Sequence, residues 1–410
     1  MPSFIDKLSI YVLWLAAVFD PIGTLGGYRY VALALVYFLL LTRFVQQDLV
    51  LRVNDFYFWM FCFLVLFLPT YGLTICLLRG GCEAKFIDTS YLGAAVLFGC
   101  SLIYLKNDLI HVGLSALIFA LRLLSLVIVL TWFSLIVKIE LDWMYFFVTD
   151  GVAYLGERTY AGLNFYYIYF ITTPMIIFLM VYEVWKFSDK PSLRGFMLVA
   201  LPVVALFLSG TRINMLMAVL GMPLVFFWRR WGWISIFIGL IFVVIFYICL
   251  NVLNINLFES IFDPDEYSNA IKIGYLRGYW DVFSDPATII FGQGFNAHVW
   301  SKSFLDMLPG GGGSGASKTE LTYLEFFRVF GFLVGAAFFI TILLMIKKLG
   351  KCDVSWRWLG VAIFLYMIAS GLNPYLFSSN GMLPLGICAA ILQRYRVTVS
   401  QAESRQNSPM

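Results

Sequence analysis

Residues 114–137 read LSALIFALRLLSLVIVLTWFSLIV, a run with a single formal charge, Arg122. At about 1.5 Å per residue a helix of this length reaches about 36 Å, enough to cross the ~30 Å hydrocarbon core of a bilayer. The rest of the chain repeats the theme. Its 410 residues are 61% hydrophobic and 18% aromatic, only 13% charged, with a mean hydropathy of +0.87. A soluble domain of this length does not have that composition; an all-helical polytopic membrane protein does.

Working outward from 114–137, the apolar segments expected to span are 8–24, 28–46, 56–78, 88–105, 114–137, 164–185, 195–210, 212–228, 232–252, 322–346, 357–375 and 379–393. About twelve spans place both termini on one side. The short loops on that side hold more than half of the 28 Lys and Arg, including Arg229-Arg230 and the KKLGK run at 347–351. By the positive-inside rule that side is cytoplasmic. The N-terminus, with Asp6 before Lys7 and no small-residue cleavage site, reads as a retained first span. The whole chain, 1–410, is expected to form one integral membrane domain, with outer loops at about 138–163 and 253–321. The second loop contains GYLRGYWDVFSDP, patterned as a short amphipathic helix, then IIFGQGFN and the run PGGGGSG.

Several chemistries are disfavoured at this stage. The seven cysteines fall singly, mostly inside apolar runs, and form no disulfide framework. His111 and His298 are the only histidines, too few for a His-based metal site, and DPDE at 263–266 resembles a solvated turn. No metal or other cofactor and no nucleic-acid partner is expected; the lipid bilayer is.

Ionisable groups near a bilayer persist where they are solvated, paired or functional. On the outward face these are Arg158, Arg212 and Arg277, with Arg328 about two turns into the tenth span. A guanidinium is a permanent charge with a planar fork of donors, suited to phosphate oxygens. Arg158 and Arg277 fit either interfacial anchoring or phosphate binding. Arg212 closes the short turn SGTR between two apolar segments, which favours a functional role. Arg328 shares a helix face with Glu325 and Glu320, so an intrahelical Glu325–Arg328 pair competes with a substrate role. Glu320 is either a helix-start carboxylate or a general base. His298 is either a loop hydrogen-bonder or an acid, base or sugar contact. Trp280, Tyr279, Trp300, Tyr160 and Tyr323 offer aromatic surface to sugars, and aromatics also belong at membrane interfaces.

In order and spacing these residues resemble the Wzy-type oligosaccharide repeat-unit polymerases and the related O-antigen ligases. SGTR at 209–212 is similar to the family's Ser-x-Ser-Arg element. Arg277-Gly-Tyr-Trp, followed by Pro286 and Phe291-Gly292-Gln293-Gly294, is similar to its Arg and P-x-x-x-x-G-x-G pattern. ELTYLEFFRVFGFLVG at 320–335 resembles a third element in which Tyr323-Leu324 match a Tyr-Leu pair. Eleven residues before Gly331 the ligases commonly carry histidine; here stands Glu320, as in polymerases. Arg158-Thr-Tyr-Ala-Gly-Leu-Asn164 is a weaker match that lacks the family's proline. The resemblance covers 158–335, about half of the chain.

The resemblance implies a glycosyltransferase of GT-C-like architecture in the bacterial inner membrane, polymerising undecaprenyl-pyrophosphate-linked repeat units at the periplasmic face. Arg212 and Arg277 would hold pyrophosphate and Glu320 would act as base, without a metal. Arg158, Tyr323, His298, Arg328 and Trp280 would bind substrate, and a chain-length regulator is an expected partner. The alternatives are an O-antigen ligase acting on lipid A core and a polysaccharide or lipid transporter; the latter calls for broken spans and deep charges.

Overall fold

The computed structural model describes residues 3–45, 54–79, 90–105, 109–139, 141–160, 163–231, 234, 241, 267–295, 321–372 and 375–406. They are predominantly helical, with one two-stranded sheet. Five helices among them are long and apolar enough to cross a membrane: Tyr28–Val45 (α2), Asp55–Leu78 (α3), Leu109–Val137 (α5), Arg212–Arg229 (α9) and Thr322–Leu349 (α12). Tyr91–Leu105, Leu193–Leu208 and Val354–Ser370 are apolar but shorter. The chain is thus an all-α membrane protein in its broad class, and its residues form two compact units.

The first unit combines residues 1–49, 106–262 and 349–369. Its first helix, Phe4–Phe19 (α1), starts on a reciprocal capping box: the Ser3 hydroxyl accepts from the Asp6 amide, and the Asp6 carboxylate accepts from the Ser3 amide. Asp6 is buried and also ion-pairs with Arg43 near the end of α2, so two apolar helices are joined through a neutralised charge. Midway along α5, Arg122 donates from Nε to Glu183 Oε1 at 2.9 Å and ion-pairs with the same carboxylate, on the helix Ile176–Asp189 (α7). The one deep charge of the opening run is therefore compensated within the bundle.

The segment 164–185 departs from a simple span. After the short helix Asp142–Thr149 (α6), strands Ala153–Tyr160 (β1) and Leu163–Phe170 (β2) form an antiparallel hairpin, with Gly156 opposite Tyr167 and Arg158 opposite Phe165. Residues 163–170, LNFYYIYF, are aromatic and β-branched with few helix formers, which favours a strand. The Thr173 hydroxyl accepts from the Phe170 amide at 3.0 Å and ends the strand, Thr172 donates to the Val18 carbonyl of α1 at 2.7 Å, and Pro174 opens the turn into α7.

The second unit combines 50–105, 263–348 and 370–410. Asn54 caps α3, accepting from Tyr57 N at 2.8 Å, while its own amide donates to Gln393 on the helix Ser379–Gln406 (α14) at 2.6 Å. The Tyr57 and Ser101 hydroxyls bond at 2.6 Å, tying α3 to the turn after Ser90–Gly99 (α4). Both α3 and α9 contain a π-helical stretch, Cys62–Phe67 and Met217–Gly221. Each ends just before a proline, Pro69 or Pro223. Proline has no N–H and crowds the carbonyl four residues back, and a π-bulge relieves both problems without ending the helix.

Candidate functional site

In the second unit the segment between the ninth and tenth expected spans contributes two helices, Tyr267–Val282 (α10) and Pro286–Phe291 (α11). On α10, Arg277 and Trp280 are both exposed, Trp280 to 81%, while Tyr279 between them is buried against Leu321. Spacing of three places Arg277 and Trp280 together on the exposed side of α10. Tyr279 points the other way, donating to Glu325 Oε2 at 2.8 Å on the first turns of α12.

Glu325 and Arg328 form the buried pair expected of their spacing, each 1% exposed. Arg328 donates from Nε to Glu325 Oε2 at 3.1 Å and from Nη2 to Oε1 at 2.5 Å, and from Nη1 to Gln293 Oε1 at 3.1 Å. A charge enclosed this fully is held by its partners and offers no surface to a substrate. Arg328, which the resemblance implies as a substrate contact, is in this arrangement enclosed by its own protein partners.

The segment Gly292–Phe295 binds the backbone of the membrane spans. Helix α12 is broken at Gly331, with φ 73° and ψ 170°. The break withdraws Phe332 and Leu333 as helical partners of the Arg328 and Val329 carbonyls. Gln293 N and Gly294 N take their place, at 2.7 and 2.9 Å, and Phe295 N donates to the Gly72 carbonyl of α3 at 3.2 Å. Gly292, with φ 79° and ψ −173°, faces the break. A Cβ on it would sit 2.3 Å from the Val329 carbonyl oxygen, and one on Gly331 would sit 2.2 Å from that of Ile290. Both glycines adopt a backbone region essentially closed to other residues, and neither has room for a side chain. Phe295 is fully buried, stacked on Tyr91 with ring centroids 5.5 Å apart.

A clamp holds the start of this segment. Asp285 caps α11, accepting from Ala287 N at 3.1 Å, and ion-pairs with Arg79 just past the end of α3. Arg79 also donates to the Thr288 hydroxyl at 2.7 Å and the Gly292 carbonyl at 2.8 Å. The Arg79 guanidinium, then the Thr288 hydroxyl and the Ala287 amide, hold the Asp285 carboxyl at about 2, below the usual carboxylate range.

In the first unit, Arg212 opens α9 directly after the turn at Gly210, whose φ is 65°. A Cβ on Gly210 would lie 2.3 Å from Tyr167 Cβ, so strand β2 packs on the turn itself. Phe165, the register partner of Arg158, meets Phe207 edge-on at 5.8 Å. The hairpin strand that carries Arg158 and the turn that carries Arg212 thus belong to one local assembly. Arg212 is half-buried. The Ser209 hydroxyl donates to the Leu206 carbonyl at 2.7 Å and accepts from Asn214 Nδ2 at 3.1 Å, fixing the first turn of α9.

Tyr323 is half-buried, its hydroxyl 3.4 Å from Ser370 Oγ and its ring edge-on to Phe339. Glu320 and His298 lie outside the described residues. Arg79, Gln293 and the Tyr279 hydroxyl are the residues that sequence reading missed. Arg79 resembles an ordinary anchor at a span end, and its main partner is 206 positions away. Gln293 did carry a signal, since it stands between two glycines that must both approach other backbone closely.

No protein-family profile, curated protein or solved structure matches the chain.

Proposed function

We propose that this chain is a bacterial inner-membrane polysaccharide polymerase of about twelve spans, with both termini cytoplasmic and its site facing the periplasm. It would join oligosaccharide repeat units carried on undecaprenyl pyrophosphate. One observation carries most of the support: the segment bearing Pro286, Gly292 and Gly294 is stitched, amide by amide, to the helix that carries Tyr323. Two elements of the resemblance, about 30 residues apart in sequence, are thereby parts of one construction.

In this reading Arg212 and Arg277, with Arg158, hold the donor's pyrophosphate and stabilise its charge as the glycosidic bond to it breaks. Glu320, next in the chain before the buried start of α12, takes the proton from the acceptor hydroxyl that attacks the anomeric carbon. A single displacement of this kind inverts the anomeric centre. Trp280, Tyr323 and His298 would contact the sugars, as the resemblance implies. Tyr279, Glu325, Arg328 and Gln293 hold the start of α12 to α10 and to the segment after α11.

A transporter would also use a broken span, but there the freed carbonyls would face ions or substrate. Here those carbonyls are occupied by Gln293 and Gly294, which favours a fixed scaffold over a moving gate. The test is polymerisation by purified protein in lipid vesicles supplied with lipid-linked repeat units. Arg212→Ala is expected to abolish chain growth while the protein remains folded, and chelators are expected to leave the wild-type rate unchanged. Near wild-type growth by Arg212→Ala, or a strict metal requirement, would overturn the assignment.

A further inference from the structure

Helix α11 has no charged residue, and of its six positions only Thr288 is buried. Pro286, Ala287, Ile289, Ile290 and Phe291 are all exposed, so its outer surface is a continuous apolar patch. In an aqueous loop such a patch marks a surface that meets something nonpolar.

Its attachments identify what it meets. The N-terminal end of α11 is clamped to Arg79, and the Phe291 carbonyl at its other end accepts from the Tyr71 hydroxyl at 3.0 Å. Both ends are therefore fixed along the last turns of a membrane-spanning helix, whose neighbouring Leu77 and Leu78 are among the most exposed apolar residues of the chain. The apolar surface of α11 continues the lipid-facing surface of α3.

The residues that follow go deeper. Gly72 lies six positions before Leu78 and Gly331 nine positions into α12, so Gly292–Phe295 meets the spans about 9–14 Å in from their ends. Non-helical backbone at that depth is tolerated only where its polar groups are satisfied inside protein or line a water-filled cavity. The amides of Gln293, Gly294 and Phe295 are all satisfied, by carbonyls of α12 and α3. Gly294 has no space for a side chain between these elements: a Cβ there would lie 2.3 Å from Cys76 N.

We propose that Pro286–Phe295 is a re-entrant membrane element rather than part of an aqueous loop: α11 rests its Ile289–Ile290–Phe291 face against lipid acyl chains, and Gly292–Phe295 inserts between α3 and α12. This holds whatever reaction the protein performs.

The test uses the full chain in phosphatidylethanolamine–phosphatidylglycerol nanodiscs, with a nitroxide attached at Ile290→Cys or Phe291→Cys and the signal of the labelled wild-type chain subtracted. Asp281→Cys on α10 gives the comparison at a charged position. Collision with oxygen is expected to exceed collision with a water-soluble nickel chelate several-fold at 290 and 291, with the reverse order at 281. Nickel-dominated collision at both positions would overturn the proposal. So would low collision with both reagents, which would mean that protein, not lipid, covers the face.

Discussion

Replacing Arg328 with leucine removes one side of the charge pair in the second unit and leaves Glu325 behind. Glu325 would lose its two contacts at 2.5 and 3.1 Å and keep only the Tyr279 hydroxyl at 2.8 Å, while Gln293 Oε1 would lose its donor. Both ionised groups are 1% exposed, so water cannot replace the lost partner without opening the unit. Stranding one member of such a pair costs about 3–5 kcal/mol, whereas replacing both by apolar groups of similar volume is often neutral. Arg328→Leu and Glu325→Leu are therefore each expected to be strongly destabilising. The double variant Glu325→Leu/Arg328→Leu should recover most of the loss, giving a coupling energy of about 2 kcal/mol or more. Thermal and denaturant unfolding of the four proteins in one detergent supplies the cycle. If the double variant is as destabilised as the sum of the singles, the two groups act independently and the buried network is not the scaffold described here.

Three further predictions follow from the same unit. Gly331→Ala places a side chain on a glycine-only backbone and against the Ile290 carbonyl, at a cost of about 1–3 kcal/mol from backbone strain before the clash is counted. Fast hydrogen exchange at Gln293 and Gly294 in that variant would report their release, and wild-type protection would refute the stitching. Asp285, held at about 2 in the folded protein against about 4 when free, stabilises the α11 cap above pH ~4 and loses that contribution as pH falls from about 4 through 2. Amide exchange at Thr288 and Ile289, corrected for intrinsic rate, should rise over that window in wild type but show no such step in Asp285→Asn; identical profiles would contradict the clamp. Arg277→Ala, at an exposed position, should leave unfolding unchanged while polymerisation falls by at least ~100-fold, on the scale of losing one preorganised charge-stabilising donor. A stability loss with retained polymerisation would reverse that assignment.

The membrane class and most helix positions are legible in the sequence because a bilayer demands long apolar runs, and the runs at 28–46, 56–78, 212–228 and 322–346 lie within about three residues of the helix ends observed. The strand at 163–170 was less visible, since its aromatic and β-branched residues satisfy the same hydropathy criterion as a span. The Glu325–Arg328 pair follows from helical spacing alone. The stitched segment does not: it rests on backbone amides, on glycines defined by what a Cβ would strike, and on an arginine paired across 206 positions. None of these leaves a periodic trace. Arg277 and Arg212 could be recognised as exceptional, but only coordinates separate them from Arg328, which has the same charge and is buried.

The most direct test of the central proposal is the surface polysaccharide of the source organism after deletion of the gene. The account predicts that the ladder of chain lengths collapses to core capped with a single repeat unit. Wild-type protein should restore the ladder, and equal membrane amounts of Arg212→Ala or Glu320→Gln should not. Uncapped core in the deletion strain would instead indicate a ligase, and a full ladder restored by both variants would contradict the account.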